Sequence, residues 1–566
     1  MKNKIIVGAI LCTGLFLSCS DEMDYKEFTQ YDKDYVEANF SYVSGLVTNA
    51  YSYLENDFGS YNGAMMASAT DEAEYAYTNN PIYKFINGGW NPVAAQDAVW
   101  TQSYKAIQQV NMFLQEFQGL DFPEYSQNDD YLVNMAQYER FPYEMRALRA
   151  YYYFNLAKQY GDVPLFTKMM TKDEVNSLTR TPVQEVFQFI IDECDAIMDK
   201  VPWQWSEVHP NLLNTSNAGR INKMFVLALK ARTALYAASP LFCTSGKEVE
   251  LWKRAALANQ AVIDAAATKG YSLPSDYSSI WEENNYKSST EMIFTRRLGA
   301  SRTYEAYNFP VGVEGGKGGN CPTQNLVDAY EMMNGKAIDE LDSGYDPQNP
   351  YVGRDPRLAL TVAVNGDAKW PDYNTDVLET FYGGKNGEPQ AGATPTGYYL
   401  KKMMNKSVIL QAGKENTKLH NWVIFRLGEF YLNYAEAAYQ VTGSANMIPE
   451  GCNLTARDAV NIVRDRVKMP AIEAGISTDN FWKKYQNERF VELAFEGHRF
   501  WDLRRWKEGD KLKNITEMKI TKNADGTFTY TRKVVNRQWE DKMYLFPIPQ
   551  SERLKNPNLT QNPGWK

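Results

Sequence analysis

The strongest constraint on the fold is a mixture of small residues and tyrosines that recurs in three segments with helical periodicity. These segments are Ala147–Tyr160, Ala228–Ala238 and Leu427–Tyr439. Small residues let two helices approach closely, and tyrosine rings fill the spaces that remain between them. Stacked helical hairpins such as tetratricopeptide repeats are built in this way. The repeat is not regular, so an irregular helical bundle stays open as the alternative.

The composition of the 566 residues is that of a globular protein rich in aromatic rings. Apolar residues make up 44% and charged residues 23%, which excludes a disordered or collagen-like chain. The formal charge of −9 opposes attraction to phosphate backbones, so we expect no nucleic-acid partner. The three histidines lie far apart in sequence, which argues against a multi-histidine metal centre. The aromatic fraction of 14% fits a packed helical core, a sugar-stacking surface, or both.

The first residues have the features of a bacterial export signal. Lys2 and Lys4 precede an apolar run that is too short to span a membrane. Cys19 follows this run after one small residue, which resembles a lipobox and predicts a lipoprotein signal peptide over residues 1–18. We expect acyl chains, such as palmitate, on Cys19, and an acidic tether over residues 19–34 that resembles the surface-export signal of Bacteroidetes lipoproteins. An ordinary signal peptide with an incidental cysteine is the alternative.

Helical periodicity covers most of the chain, and one region interrupts it. Residues 270–419 are rich in Gly, Pro, Asn and Asp, which predicts a loop-rich region with short strands between helical regions 35–269 and 420–566. Met518–Val535 alternates around Ala524-Asp525-Gly526 and predicts a β-hairpin. The fold class is therefore mostly α. The predicted helices are Tyr35–Leu54, Asn91–Phe117, Glu144–Tyr160, Asn222–Ala238, Glu248–Ala266, Trp422–Val441, Thr455–Val467 and Asn480–Glu508.

The motifs of known catalytic and cofactor sites are missing from the sequence. A nucleophile elbow, a zinc-protease helix and a phosphate loop do not occur, so we expect no enzyme activity and no cofactor. Asp372, Asn374 and Asp376 have the first spacing of a calcium loop. Val377 and Gly383 stand where that loop needs Gly and Glu, so we expect no metal there. Four widely spaced cysteines favour buried free thiols over disulfides: Cys194, Cys243, Cys321 and Cys452.

The stretch Glu488–Trp506 (ERFVELAFEGHRFWDLRRW) combines charges with aromatic rings. We interpret it as scaffold, with a ladder of charges over packed rings, and we expect His498 to pair with Asp502 four residues on. This stretch closely resembles the C-terminal signature of the SusD/RagB family, as does Tyr544–Trp565 (YLFPIPQSERLKNPNLTQNPGW). Other segments match in family order: Arg146–Pro164, Gly219–Phe242, Pro322–Lys336, Arg354–Leu358, Gly397–Lys402 and Arg426–Ala437.

The resemblance runs over about Tyr35 to Trp565 and implies both a fold and a role. The implied fold is a mostly helical scaffold of four tetratricopeptide-like helix pairs that carries a variable loop-rich region. The implied role is that of a surface-exposed outer-membrane lipoprotein, anchored through its lipid, that binds glycans or, in some members, peptides. Such proteins act as a lid over a SusC-like TonB-dependent transporter and have no catalytic activity of their own.

The segment Ala69–Trp90 is the clearest candidate for a ligand site. Sugar rings stack on aromatic rings and offer hydroxyl groups to carboxylates, so aromatic residues beside acidic ones are the pattern to seek. Asp71 and Glu72 could accept hydrogen bonds from hydroxyls, and Tyr75 lies close to them in sequence. Trp90 could stack on a sugar or, alternatively, pack the start of the next helix.

The loop-rich region supplies a second group of candidates. We expect some of its rings to bind a sugar and the others to be core residues. The candidate binding residues are Trp281, Tyr286, Tyr304, Tyr307 and Tyr398. Two other functions stay open, namely a helical glycoside hydrolase with a pair of carboxylates in a cleft, and a peptide-binding member of the same family.

Overall fold

The protein is mostly helical, as predicted, in a computed structural model that describes residues 32–96, 98–214, 217–243 and 246–566. The predicted signal peptide, Cys19 and most of the predicted tether lie outside these residues. The α-helices described are α1 Lys33–Glu37, α2 Phe40–Ser52, α3 Ala98–Glu116, α4 Tyr131–Tyr138, α5 Phe141–Tyr160, α6 Lys172–Ser177, α7 Val183–Ile197, α8 Lys223–Ala238, α9 Glu248–Lys269, α10 Asn285–Ser288, α11 Thr303–Asn308, α12 Gln324–Ala329, α13 Pro356–Thr361, α14 Leu427–Thr442, α15 Ala456–Arg466, α16 Thr478–Glu492, α17 Arg499–Arg505 and α18 Gln550–Lys555. The strands are β1 Ala73–Tyr75, β2 Met292–Arg297, β3 Asn320–Pro322, β4 Val362–Ala363, β5 Tyr399–Leu400, β6 Asn421–Arg426, β7 Asn514–Lys522 and β8 Phe528–Asn536.

The long helices pack against one another in a series that follows the chain. α3 packs on α5, α5 on α7, α7 on α8, α8 on α9, α9 on α14, and α14 on α15. α5 is buried around nearly its whole circumference, and its tyrosines find polar partners inside the core: the Tyr153 hydroxyl donates to the carbonyl of Phe166 at 2.7 Å. The pattern of small residues and tyrosines thus predicts this close packing correctly. The arrangement as four tetratricopeptide-like pairs stays a prediction.

The loop-rich region is joined to both helical regions by strand pairs. β1 pairs antiparallel with β3, and β2 pairs antiparallel with β6. The helix predicted over Trp422–Val441 is therefore wrong in its first part, because all six residues of β6 are buried in this strand pair before α14 begins at Leu427. The boundaries predicted at residues 269/270 and 419/420 stay predictions.

The C-terminal hairpin is confirmed and is longer than predicted. β7 and β8 pair antiparallel over their full length, with Ile520 opposite Tyr530. The turn residue Asp525 accepts hydrogen bonds from the backbone N–H and the hydroxyl of Thr527, at 3.0 and 2.6 Å. Gly526 takes a φ of +86°, which an L side chain rarely adopts. The turn predicted at Ala524-Asp525-Gly526 is therefore the turn that the structure contains.

The stretch Glu488–Trp506 differs most from its prediction. Its charges are buried, and several of them pair with other parts of the chain instead of forming a ladder. As predicted, Arg499 and Arg504 lie over packed rings, 4.0 and 3.4 Å from the ring centres of Phe490 and Phe500. Arg426 on β6 bonds Glu492 and Glu496 at 2.6–2.8 Å, and Arg357 bonds Glu492 at 2.9 Å. Burial alone would raise the pKa of Glu492, but the arginines around it lower that pKa strongly. The Arg357–Glu492 pair holds the loop-rich region on the helices, since removing one partner leaves a buried charge uncompensated.

Candidate functional site

A central cleft of about 470 Å³ opens where α2 ends, α3 begins, and the chain crosses from α16 to α17. Polar and charged side chains enter it from the loop after α2 and from the C-terminal half of α5, and rings line its walls. The lining residues with chemistry to offer a ligand are Tyr53, Glu55, Asp57, Tyr61, Gln102, Lys158, Arg296, His498 and Trp501.

One ion pair of the central cleft joins Lys158 to Glu55. The Nζ atom of Lys158 lies 3.3 Å from Oε2 of Glu55, with 7% of the lysine side chain and 37% of the glutamate side chain exposed. Burial lowers the pKa of the Lys158 ammonium, and the Glu55 carboxylate offsets part of that effect. Burial would raise the pKa of Glu55, but Lys158 lowers it overall. The cleft therefore presents this lysine–carboxylate pair to a ligand.

Asp57 is the second acid in the wall of the cleft. Burial raises its pKa to about 7, although hydrogen bonds stabilise its ionised form. Its Oδ1 atom accepts from the Ser60 hydroxyl at 2.6 Å, and its Oδ2 atom accepts from the Met66 N–H at 2.7 Å. Asp57 therefore changes its charge close to neutral pH.

Aromatic rings complete the walls. Trp501 is partly buried, and the ammonium of Lys158 lies 5.0 Å from the centre of its ring. Tyr53 and Tyr61 are also partly buried. A cleft that combines accessible rings with carboxylate, amide and ammonium groups suits a ligand with apolar faces and hydroxyl edges.

The turn that brings His498 and Trp501 to the cleft interrupts the helix predicted over Asn480–Glu508. Phe495 takes a φ of +62°, which is rare for a bulky residue, and Gly497 takes +78°. The N–H of Phe495 donates to Oε1 of Glu72 at 2.8 Å, which stabilises this conformation. Gly497 is the sequence signal that could have indicated the break.

His498 does not make the predicted pair with Asp502. The Asp502 oxygens accept from Arg489 and Arg505 at 2.7 and 2.9 Å instead. Burial and nearby cations, of which Arg232 has the largest effect, lower the pKa of His498 well below its usual range. The imidazole that faces the cleft is therefore neutral.

The first part of the predicted site over Ala69–Trp90, residues 69–75, is buried, so the acidic residues Asp71 and Glu72 cannot bind a ligand. Asp71 is engaged by the Arg499 guanidinium in two hydrogen bonds of 2.7 and 2.8 Å. Glu72 accepts from Phe495, and burial raises the pKa of its carboxyl to about 8. These two carboxyls attach the segment to the stretch Glu488–Trp506. The prediction that Asp71 and Glu72 bind a ligand is therefore wrong, and both residues belong to the scaffold.

The prediction that Trp90 binds a ligand is also wrong, because only 2% of this residue is exposed. Its ring centre lies 4.5 Å from that of Phe546, 4.7 Å from Phe85 and 5.1 Å from Trp565. Its Nε1–H donates to the carbonyl of Ala95 at 3.2 Å. An enclosed ring has no face left for a sugar. The alternative interpretation expected packing against the start of the next helix, whereas the ring packs on Phe85, Phe546 and Trp565.

Two other candidates are brought together, although they are far apart in sequence. Gly63 lies between Tyr75 and Tyr307, where a β-carbon would come within 2.6 Å of the Tyr307 ring and of the Tyr75 hydroxyl oxygen. Tyr75 is buried, whereas Tyr307 is partly exposed with the Lys317 ammonium 5.0 Å from its ring centre. Tyr307 alone of these two keeps a surface for a ligand.

The remaining candidates of the loop-rich region separate into core and surface residues. Tyr304 and Tyr398 are buried, and the Tyr398 hydroxyl donates to Gln324, so neither ring can stack on a sugar. Trp281 is partly buried, with Lys402 and Arg426 at 4.9 and 5.9 Å from its ring centre. Tyr286 lines a second, smaller pocket.

The residues with the calcium-loop spacing, the helices and the cysteines have the following surroundings. Asp372 and Asp376 pair with Lys406 and Lys385, and no group of three potential ligands for a metal ion occurs in the described parts of the chain. No helix within the described ranges is both long and apolar enough to cross a bilayer. Of the four cysteines predicted as buried free thiols, Cys194, Cys321 and Cys452 are free. Cys194 and Cys321 are buried, whereas Cys243 and Cys452 are partly exposed, so burial is predicted correctly for only two of the four.

Comparisons with known proteins agree with this architecture. A SusD-like protein P2 of Formosa agariphila is 24% identical over 83% of this chain and 80% of its own length. A crystal structure of a SusD-like protein from Bacteroides fragilis superposes with a TM-score of 0.76 at 24% identity, covering 94% of this chain and 99% of the other. A structure described as a laminarin-binding SusD-like protein superposes with a TM-score of 0.63 at 20% identity, covering 93% and 99%.

Family models match both halves of the sequence. Residues 24–221 match a model described as starch-binding and associating with the outer membrane. Residues 278–565 match the model of the SusD family. Because that second match extends over half of the chain, the protein belongs to the SusD family, a family of carbohydrate-binding proteins associated with the outer membrane.

Proposed function

We propose that the protein binds an oligosaccharide in the central cleft and delivers it to a SusC-like TonB-dependent transporter, over which it acts as a lid. The observation that carries the proposal is the combination, in one open cleft, of the Trp501 ring with the Lys158–Glu55 ion pair. Family membership supports a glycan ligand, and a relative of similar fold is described as laminarin-binding.

The cleft suits a sugar for a physical reason. The apolar face of a pyranose packs on an aromatic ring, and its hydroxyls need both donors and acceptors at the rim. Trp501 offers the ring, Glu55 offers acceptor oxygens, and Gln102 offers an exposed amide. Groups that already hold each other in place lose less freedom when the ligand binds.

A glycan screen with the soluble chain that starts after Cys19 tests the ligand class. We expect the protein to be retarded in affinity gels by at least one polysaccharide, and Trp501→Ala to weaken the retardation. Tyr382→Ala, which removes an exposed ring far from the cleft in sequence, is the matched control. Retardation lost in the control but kept in Trp501→Ala would remove the cleft from the proposal, and binding only to peptides would favour the peptide-binding alternative.

We further propose that the protein is anchored in the outer membrane by lipid on Cys19 and is exposed at the cell surface. The lipobox-like sequence and the outer-membrane association of the family support this. Labelled palmitate should enter the wild-type chain and not Cys19→Ala, and a protease added to intact cells should degrade the wild-type chain. A SusC-like transporter should co-purify with the tagged chain from outer membranes, and its absence would contradict the lid role.

One observation favours a glycoside hydrolase as a second candidate. Glu55 and Asp57 share the cleft and have pKa values shifted in opposite directions, as an acid and its partner do in such enzymes. Both Asp57 oxygens, however, already accept hydrogen bonds, and Glu55 is held by Lys158. We therefore propose a non-catalytic role. Reducing ends released from a bound polysaccharide, and lost in Asp57→Asn, would overturn it.

A further inference from the structure

A second pocket, of about 190 Å³, lies between the loop that follows α7, the end of α9 and strand β2. It is separate from the central cleft in its lining residues. Rings and amide side chains line it, among them Trp203, Gln204, Asn214, Asn217, Tyr271 and Tyr286. Its volume is below the ~300–1,000 Å³ of pockets that enclose drug-sized ligands, so it suits one sugar residue rather than a long chain.

Cationic groups are held at two of the rings that line this pocket. The Lys269 ammonium lies 4.6 Å from the centre of the Trp203 ring, and the Arg297 guanidinium lies 4.3 Å from the centre of the Tyr286 ring. The Lys287 ammonium is 5.3 Å from the same tyrosine ring. A ring face attracts a cation and restrains its flexible side chain, which reduces the entropy lost when the cation binds an anion.

The carboxylates around the pocket are already engaged. Glu144 pairs with Arg220, and Asp199 lies 3.2 Å from the Lys223 ammonium. Glu207 accepts from the backbone N–H of Trp203 at 3.2 Å. Among the described residues, Lys269, Lys287 and Arg297 have no carboxylate partner, and no acidic side chain lines the pocket. Their charge is therefore available to a ligand.

The amides supply the hydroxyl-binding part of the pocket. Asn214 donates to Oε1 of Gln204 at 3.0 Å, and its own carbonyl oxygen accepts from the N–H of Ser206 at 3.1 Å. The Asn217 carbonyl oxygen accepts from Arg220 at 3.3 Å. These bonds fix the amide planes before a ligand arrives, which is the arrangement expected of a preformed polar site.

We propose that this pocket binds a single anionic sugar residue, a uronate or a sulfated sugar, beside Trp203 and Tyr286. The anion contacts Lys269 and Arg297, and the amides bond the ring hydroxyls. Cations beside the pocket, at the Trp203 and Tyr286 rings, attract a ligand of opposite sign locally in a chain of net charge −9. The site is independent of the central cleft and does not require the proposed transport role.

The test is a calorimetric titration of the soluble chain with three probes: trigalacturonate, a sulfated galactose disaccharide, and neutral maltotriose. We expect at least one acidic probe to bind the wild-type protein, and Lys269→Ala combined with Arg297→Ala to weaken that binding at least tenfold. Raising the salt from 50 to 500 mM should also weaken it, because salt screens exposed charges. Comparing the uronate with the sulfate identifies which anion the pocket prefers.

Two controls keep the outcome interpretable. Lys414→Ala removes an exposed lysine of the loop-rich region and should leave the binding of the acidic probe unchanged. The affinity-gel comparison with Trp501→Ala tests the central cleft separately, so failure of the central cleft and failure of this pocket are distinguishable. The double variant replaces exposed side chains, and circular dichroism checks that it folds. Equal binding of the acidic probe by wild type and double variant, or binding of neither acidic probe, would overturn the proposal.

Discussion

Two tryptophans contact the same phenylalanine but differ in exposure. The ring centres of Trp90 and Trp501 lie 4.5 and 5.9 Å from that of Phe546. Trp90 is enclosed by Phe85 and Trp565 as well, whereas Trp501 keeps part of its surface in the central cleft. The two residues share their type and one neighbouring ring, so exposure separates a core tryptophan from a candidate binding residue.

The acidic residues beside them show the same contrast. Asp71 and Glu72 are buried and held by Arg499 and Phe495. Glu55 and Asp57 lie in the cleft wall, where Glu55 keeps part of its side chain in solvent. Both pairs follow a pattern typical of sugar sites, namely acids near aromatic residues. Such a pattern identifies the residue types of a sugar site, but it does not show which of the two acidic pairs is accessible to a ligand.

The largest effect is expected from Trp90→Ala. Emptying this buried site removes the contacts of a large ring and leaves a cavity, so the free energy of unfolding should fall by about 3–5 kcal/mol. Denaturant titration followed by fluorescence measures it. The glycan affinity of the folded fraction should not change, and a selective loss of affinity would return Trp90 to the binding site.

The next effect concerns the pH dependence of stability. Glu72 holds its proton up to about pH 8 in the folded protein, against an ordinary pKa of 4.5. The folded state therefore binds more protons between these values, and stability falls as the pH rises through this window. Glu72→Gln should abolish a loss on the order of 2–4 kcal/mol, read from unfolding curves at pH 5 and pH 8. Parallel curves for both proteins would show that Glu72 is ionised throughout.

A smaller effect is expected from Trp501→Ala, and on binding rather than on stability. Loss of a stacking ring should weaken glycan affinity about tenfold, which corresponds to about 1.4 kcal/mol. Trp501→Phe keeps a ring and should recover most of the affinity. A large fall in the free energy of unfolding with unchanged glycan affinity would show that Trp501 is a core residue, like Trp90, and does not bind the ligand.

The smallest effect is expected from Asp57. An ionised carboxylate accepts hydrogen bonds more strongly than a neutral acid, so affinity for the glycan should rise up to about threefold between pH 6 and pH 8. Asp57→Asn should make the affinity independent of pH in this range. The change is small because hydrogen bonds from Ser60 and Met66 already occupy the carboxylate oxygens. Calorimetry at four pH values measures it.

Local patterns predicted the elements that form from nearby residues. The close-packed α5 and the β7–β8 hairpin appear as expected, because helical periodicity and turn chemistry act over a few residues. Two predicted helices fail where distant partners intervene. β6 forms because β2 pairs with it, and α16 ends before Phe495, whose N–H bonds Glu72 from the other end of the chain.

The sequence by itself determined the mostly helical class, the family and the kinds of residues that a sugar site needs. Only the tertiary structure decided where that site lies. Burying Trp90 and exposing Trp501 depends on contacts between residues that are hundreds of positions apart, such as those with Phe546 and the Asp71–Arg499 pair. Exposure is a property of the whole packed molecule, so no local pattern of residues contains it.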